Sequence, residues 1–390
     1  MGGRRFHTSF LASSEALAIL PGVIRRGTEL AIVLLCLLVN APRSAADEVS
    51  SGVYYRGDTD GTHVVTPSVN GRFQVIDNYT SIQAGYAADV WSSASIDIRT
   101  AATGRVTEHR DQLTAGVRRE LSDLTLRADY RFSHEPDYVS HGGGLAMEQR
   151  FGEGNSVLEL QMQASQDQVG RAGDRDFRRG LSTIGARVVF SQTLDPATVL
   201  QLAYELTRRE GYQASPYRFV GVGGDGVCAG TAVLCLPETH PGIRLRNAAV
   251  ARVKRAFGEN KSAGADYRLY FDDWGLMAHT LALNFNWLPD DRSNLGLGWR
   301  SYFQNDASFY QERYVVPPGP LRYVSRDREL SRMNTQRISL SYERLFDLTQ
   351  NGPPLRLTAA LGSTWLGYNN FVGLRLVWAM DLIVAATVEL

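Results

Sequence analysis

The sequence carries no net charge. Lys+Arg and Asp+Glu number 41 each over 390 residues, and the pI is near 7.1. Bulk attraction to nucleic acid or to an acidic partner is therefore excluded, and no nucleic-acid role is expected. Cysteine is scarce, at three residues, which excludes a disulfide scaffold. After residue 39 no apolar run is long enough for a membrane-spanning helix. The G-x-S-x-G, H-E-x-x-H, phosphate-loop and C-x-x-C motifs are all missing, so no enzyme is read and no catalytic residue is assigned. The run Gly221-Val222-Gly223-Gly224 precedes no helix and is read as loop rather than nucleotide site.

Glycine is abundant instead, at 37, and aromatic residues make up 10%, led by tyrosine and phenylalanine. That composition suits a β-protein. The one long apolar run, Leu30–Val39, follows Arg25 and Arg26 and precedes Arg43-Ser44-Ala45-Ala46. A charged start, a short apolar stretch and small residues make a signal peptide over 1–46, cleaved after Ala46. Residues 1–22 form an unusually long lead-in, which points to a true start near Val23. The rest, 47–390, is read as one domain.

The mature chain alternates. Leu124, Leu126, Ala128, Tyr130 and Phe132 fall on one side; Thr125, Arg127, Asp129, Arg131 and Ser133 fall on the other. A period of two is a β-strand with one apolar and one charged face. The same pattern recurs at 82–90, 158–164, 200–206, 263–271, 281–287 and 355–361. Two kinds of connection take turns between these runs. Short ones rich in Gly, Pro, Asn and Asp lie at 76–79, 121–123, 151–155, 194–197, 258–261, 289–292 and 350–353. Long polar ones are expected at 91–105, 133–140, 167–179, 211–242 and 305–332.

Alternating short and long connections predict a transmembrane antiparallel up-and-down β-barrel of about 16 strands, with short periplasmic turns and long extracellular loops. The first strand is expected near 49–56 and the last near 372–390, where the even-numbered positions from Val372 to Leu390 are all apolar. Such a closing strand suits recognition by the barrel-assembly machinery. Aromatic residues near strand ends, such as Tyr79, Trp91, Phe151, Trp287 and Phe346, favour lipid over a soluble sandwich. The apolar face then meets outer-membrane lipid, and the charged face lines the lumen. Arg127, Asp129, Arg131, Arg187, Asp266, Arg268, Arg300 and Arg337 are the expected lumen-lining residues.

Two loops hold candidate chemistry. In Ser133–His141 the residues His134, Asp137 and His141 are of the type that ligates a divalent metal. The competing account is a polar loop whose side chains hydrogen-bond to backbone, since the spacing matches no known motif; no other cofactor is expected. Asp58, Asp60, Asp272 and Asp273 are read as solvated acidic loop residues. Cys228 and Cys235 share a glycine-rich loop in an oxidising compartment, so a disulfide is expected between them.

Several stretches resemble an uncharacterised Gram-negative outer-membrane family, the domain of unknown function 3570. They are Ser93–Asp97 with Thr100-Ala101-Ala102, Ser133–His141, Gly211–Val220, Glu238–Arg246, Tyr267–Thr280 and Tyr302–Tyr310. The segment 221–236 and the terminal Leu390 depart from the family pattern. The resemblance implies a barrel in the outer membrane and a shared task at one rim, with no activity to transfer. The functional expectation is a porin-like pore or transporter for small polar solutes or anions, because the lumen face is rich in arginine. The alternative is a binding barrel whose loops seal the lumen and whose rim holds a metal or partner. A barrel hydrolase ranks last.

Overall fold

In a computed structural model the chain is described over residues 47–75, 77–93, 106–315, 322–347 and 353–390. The expected signal peptide and start site, the family stretch at 94–102 and most of the 91–105 loop lie outside these residues. Sixteen antiparallel strands close into one barrel, with a separate two-stranded hairpin beside it. The wall runs β1 (Glu48–Asp58), β2 (Thr62–Gln74), β3 (Thr80–Ser93), β4 (Val106–Leu121), β5 (Leu124–Glu135), β6 (Tyr138–Phe151), β7 (Ser156–Arg171), β8 (Asp174–Asp195) and β9 (Thr198–Gly211). The small hairpin is β10 (Phe219–Val222) and β11 (Leu234–Pro237). The wall resumes with β12 (Ile243–Phe257), β13 (Lys261–Asp272), β14 (Met277–Asp290), β15 (Ser293–Gln304), β16 (Met333–Asp347), β17 (Pro354–Tyr368) and β18 (Leu376–Glu389). Closure comes from β1 on β18, in register from Glu48 opposite Glu389 to Asp58 opposite Ala379.

Strand pairing puts the apolar parity outside. Leu145 on β6 faces Met162 on β7, and each is 65% exposed. Leu113, Tyr130, Ile184, Leu202, Leu283, Leu297, Leu340, Leu361 and Val384 continue this exposed band around the wall. A continuous apolar belt with no core beneath it is stable only against lipid. Near the short-turn end, exposed Tyr79, Phe151, Phe257, Trp287 and Phe346 border the belt, as aromatic rings do at a membrane interface. Toward the other end, three outward-facing tyrosines bond a histidine on the neighbouring strand: Tyr55 to His63, Tyr130 to His141 and Tyr267 to His279. Each hydroxyl thereby gains a partner beside lipid.

Short turns join β4 to β5, β6 to β7, β8 to β9, β12 to β13 and β14 to β15 at one end; the β16–β17 connection, 348–352, lies outside the described residues. Two of the expected long loops are corrected. Residues 133–140 and 167–179 are not loops but continuous strand, turned at Pro136-Asp137 and Ala172-Gly173. Gly173 takes φ +80, as the tight turn requires. The physical reason is length. Crossing the hydrocarbon takes about 9–11 residues, whereas β7 has 16 and β8 has 22. The excess projects into water, where both faces are polar and the alternation that marks a strand is lost. The genuine long connections among the described residues are those after β9 and β15.

The two faces predict opposite tolerances. Met162→Arg should destabilise the barrel by about 2–4 kcal/mol in lipid vesicles, as for a cation at the bilayer midplane. Gln163→Arg, on the lumen parity, should cost less than about 1 kcal/mol. Urea titration of the two refolded variants checks this; equal losses would contradict the assigned faces.

Candidate functional site

The lumen is where the charged parity converges. On one side of it Arg127, Asp129, Arg131 and Arg187 line a cavity of about 550 Å³. Arg127 is ion-paired with Glu159, Arg187 with Glu205 at 3.3 Å, and Asp266 with Arg252 at 3.3 Å. The other side holds a larger cavity of about 730 Å³, lined by Arg56, Arg209, Arg244, Arg246, Arg268, Arg300 and Arg337 together with Tyr270, Trp274 and Tyr302. Three of these arginines are neutralised. Arg244 makes a two-pronged contact with Asp272, at 2.8 and 2.7 Å. Arg268 reaches Glu205 at 3.3 Å. Arg337 grips both oxygens of Asp381, whose side chain is buried. Gly362 makes room for it, since a Cβ there would collide with the guanidinium.

Two long connections meet over the loop end of this cavity. The segment after β9 carries the β10–β11 hairpin, in which Cys228 and Cys235 are joined by a disulfide. The segment after β15 ends in a 3-10 turn, Arg328–Leu330, capped by Asp327. Isolated bridges link Val222 to Tyr314 and Thr239 to Val324. A small apolar core forms between the segments from Val220, Val222, Tyr314 and Val324. A larger one, with Trp274, Tyr310, Leu330, Tyr368 and Phe371, ties them to the barrel rim.

Glu238 fastens the two segments. Its side chain is fully buried and accepts from Ser325 Oγ at 2.7 Å, the Arg326 amide at 2.8 Å and the Ser215 amide at 3.1 Å. Arg218 stands 3.9 Å away and itself pairs with Asp327. His240 lies 3.4 Å from the carboxylate, and its ring nitrogens reach Ser325 Oγ at 3.0 Å and the Gln213 carbonyl at 3.2 Å. The ring packs edge-on to Trp274 and beside Phe309. Burial pushes the Glu238 carboxyl up, but the His240 hydrogen bond and the Arg218 charge outweigh it and bring it down to about 2. Ser325, His240 and Glu238 do not form a nucleophile relay. The serine is 1% exposed and donates directly to the carboxylate, so no substrate atom can approach it.

The residues considered for metal do not form one ligand set. His141 turns to the lipid-facing side, bonded to Tyr130 and packed on Phe132. Asp137 sits at the hairpin tip and accepts from the Tyr217 hydroxyl. Its carboxylate neighbours are Glu108 and Glu135, the one group among the described residues with three potential ligand atoms within 4.8 Å of one another, and neither histidine belongs to it. Strand parity is the reason, since it sends His141 outward with Phe132. The acidic residues taken as solvated are engaged: Asp60 pairs with Arg328 and Asp272 with Arg244. Glu238 and His240 carry this site with Trp274, and neither of the first two was singled out from sequence. The available signal was the resemblance, because Glu238–Arg246, Tyr267–Thr280 and Tyr302–Tyr310 supply His240, Trp274 and Phe309 to one contact.

A closed barrel with an apolar outer belt and a charged lumen is a transmembrane β-barrel of the outer-membrane type. Residues 178–351 match the model of a family described as a protein of unknown function, DUF3570. No curated protein matches the sequence. Among solved structures, a bacterial polysaccharide outer membrane secretin is similar at 9% identity and TM-score 0.50, covering 89% of this chain and 99% of that one. The siderophore receptor PirA from Pseudomonas aeruginosa is similar at 10% identity and TM-score 0.44, over 86% of this chain. CdiB from Acinetobacter baumannii is similar at 9% identity and TM-score 0.49, over 87% of this chain. This chain spans 61% of the length of the receptor and 60% of that of CdiB. At such identities the likeness is one of fold.

Removing the fastening carboxylate should free the two segments. Glu238→Ala takes the acceptor from the Ser325 hydroxyl and from the Ser215 and Arg326 amides and should cost on the order of 3–5 kcal/mol of loop closure. Limited proteolysis should cut within 212–242 while the barrel survives. Because the carboxyl is held below its ordinary value, its contribution is complete above about pH 4.5 and declines only as pH falls toward about 2. Hydrogen-exchange protection of 212–242 should therefore be level between neutral pH and about 4.5; a loss of protection near pH 6 would exclude Glu238 as its source.

Proposed function

We propose that this protein is an outer-membrane channel for small polar solutes, with a preference for anions. The observation that carries the reading is the surplus of guanidinium groups around the larger lumen cavity. Arg56, Arg209, Arg246 and Arg300 line it and make no ion pair with a described residue. A positive lumen in a low-dielectric wall raises the local concentration of anions and repels cations. Export through the leader at 1–46 and insertion by the barrel-assembly machinery, which would read the apolar parity of β18, complete this reading.

A second reading is a sealed barrel that binds rather than conducts. The observation in its favour is the buried packing between the two long segments at the loop end. Planar-bilayer recording separates the two. The channel reading expects steady conductance, with a reversal potential in a KCl gradient on the anion side. Arg246→Glu with Arg300→Glu should move that potential toward cations. A silent wild-type protein alongside a conducting Glu238→Ala variant would favour the sealed barrel instead.

A further inference from the structure

The arginines of the larger cavity are not equivalent, and strand register shows how they differ. Arg300 on β15 lies directly opposite Arg337 on β16. Like charges facing each other across two strands are unfavourable. Asp381 relieves only Arg337, because it engages that guanidinium with both oxygens. Arg300 is left open to the lumen beside the Tyr302 ring, 5.7 Å away, with Arg268 and Arg337 repelling it.

The same asymmetry recurs on β12. Asp272 is the register partner of Arg246, yet its carboxylate is taken by Arg244, two residues earlier. Arg246 keeps a buried Nε with no hydrogen-bond partner, and Arg244 and Arg209 repel it. At both places one carboxylate, Asp272 on β13 or Asp381 on β18, is spent on one arginine and a second arginine is left unmatched. Tyr270, next to Arg246, and Tyr302, next to Arg300, line the same cavity. Three carboxylates line the cavity: Glu205 is shared by Arg187 and Arg268, Asp327 pairs with Arg218, and Glu329, from the 3-10 turn, is a single charge that cannot neutralise two guanidiniums.

A buried guanidinium donor without a partner costs free energy, on the order of 1–3 kcal/mol. It is relieved by an oxyanion that accepts from it. Arg246 presents that buried donor and Arg300 an exposed guanidinium, and two such cations in one cavity suit a solute with more than one anionic oxygen group. We propose that this cavity is a binding site for small multivalent oxyanions, held by Arg246 and Arg300 with Arg209 in support. Carboxylates and phosphates share the required chemistry, since both accept two parallel bonds from a guanidinium. The proposal deepens the channel reading by naming the solute class, and it rests on the lumen being the solute path.

The test is calorimetric titration of the intact barrel, refolded in detergent at low ionic strength, with citrate, pyrophosphate and acetate. The wild type should bind citrate or pyrophosphate at least tenfold more tightly than acetate, and the tighter of the two identifies the source of the anion. Arg246→Gln with Arg300→Gln should lose at least tenfold in that affinity. Heat-modifiable gel migration shows that the double variant is folded, and Arg178→Gln, at the exposed outer end of β8, serves as a charge control. Equal affinity for citrate, pyrophosphate and acetate, or unchanged affinity in the folded double variant, would overturn the site. Binding needs no open channel, so the two readings fail separately. Conductance without multivalent binding removes the site alone; binding in a protein that does not conduct supports the site and removes the channel.

Discussion

Lipid offers no hydrogen bonds, and that constraint organises the molecule. Every backbone N–H and C=O crossing the membrane must find a partner within the wall. The pairing of β1 with β18 meets this demand by leaving no edge strand in the barrel. Once the sheet closes, the alternation of side chains has only two destinations. Apolar residues such as Leu145 and Met162 face hydrocarbon, and charged residues such as Arg127 and Arg337 face the lumen.

Concentrating charge in a lumen creates a second requirement. Isolated charges beside a low-dielectric wall are unfavourable, so most are matched on an adjacent strand or the next one along. Arg127 with Glu159, Arg252 with Asp266 and Arg337 with Asp381 meet it. The matching is incomplete in one region. Arg246 lies opposite Asp272, already engaged by Arg244, and Arg300 lies opposite Arg337, which alone holds Asp381. A cluster of unmatched arginines at one cavity, in a chain with no net charge, is local chemistry rather than bulk electrostatics.

The loop end obeys different rules because water is present there. The segments after β9 and β15 build small cores of their own and are fastened through Glu238. That carboxylate lies in the stretch Glu238–Arg246, whose His240 ring meets Trp274 and Phe309 from two other such stretches, so what looked like scattered motifs is one packed assembly. The glycine-rich segment 221–236 forms most of the small hairpin tied by Cys228 and Cys235.

The period-two pattern and the turn residues were enough to read the barrel, its strand number, and which face meets lipid. Those signals are local, and a membrane enforces them at every position. Sequence reading failed where the enforcement stops. Above the bilayer both faces of β5 to β8 are wet, so strand and loop share one composition, and 133–140 and 167–179 were expected as loops. His134, Asp137 and His141 are close in sequence, but hairpin parity directs His141 to the outer face, while Asp137 joins Glu108 from β4. Which arginines are matched was also beyond the sequence. Alternation places Arg300 and Arg337 on the same face with equal clarity; only the register between strands, and the reach of Asp381, gives one a partner and leaves the other open to the lumen.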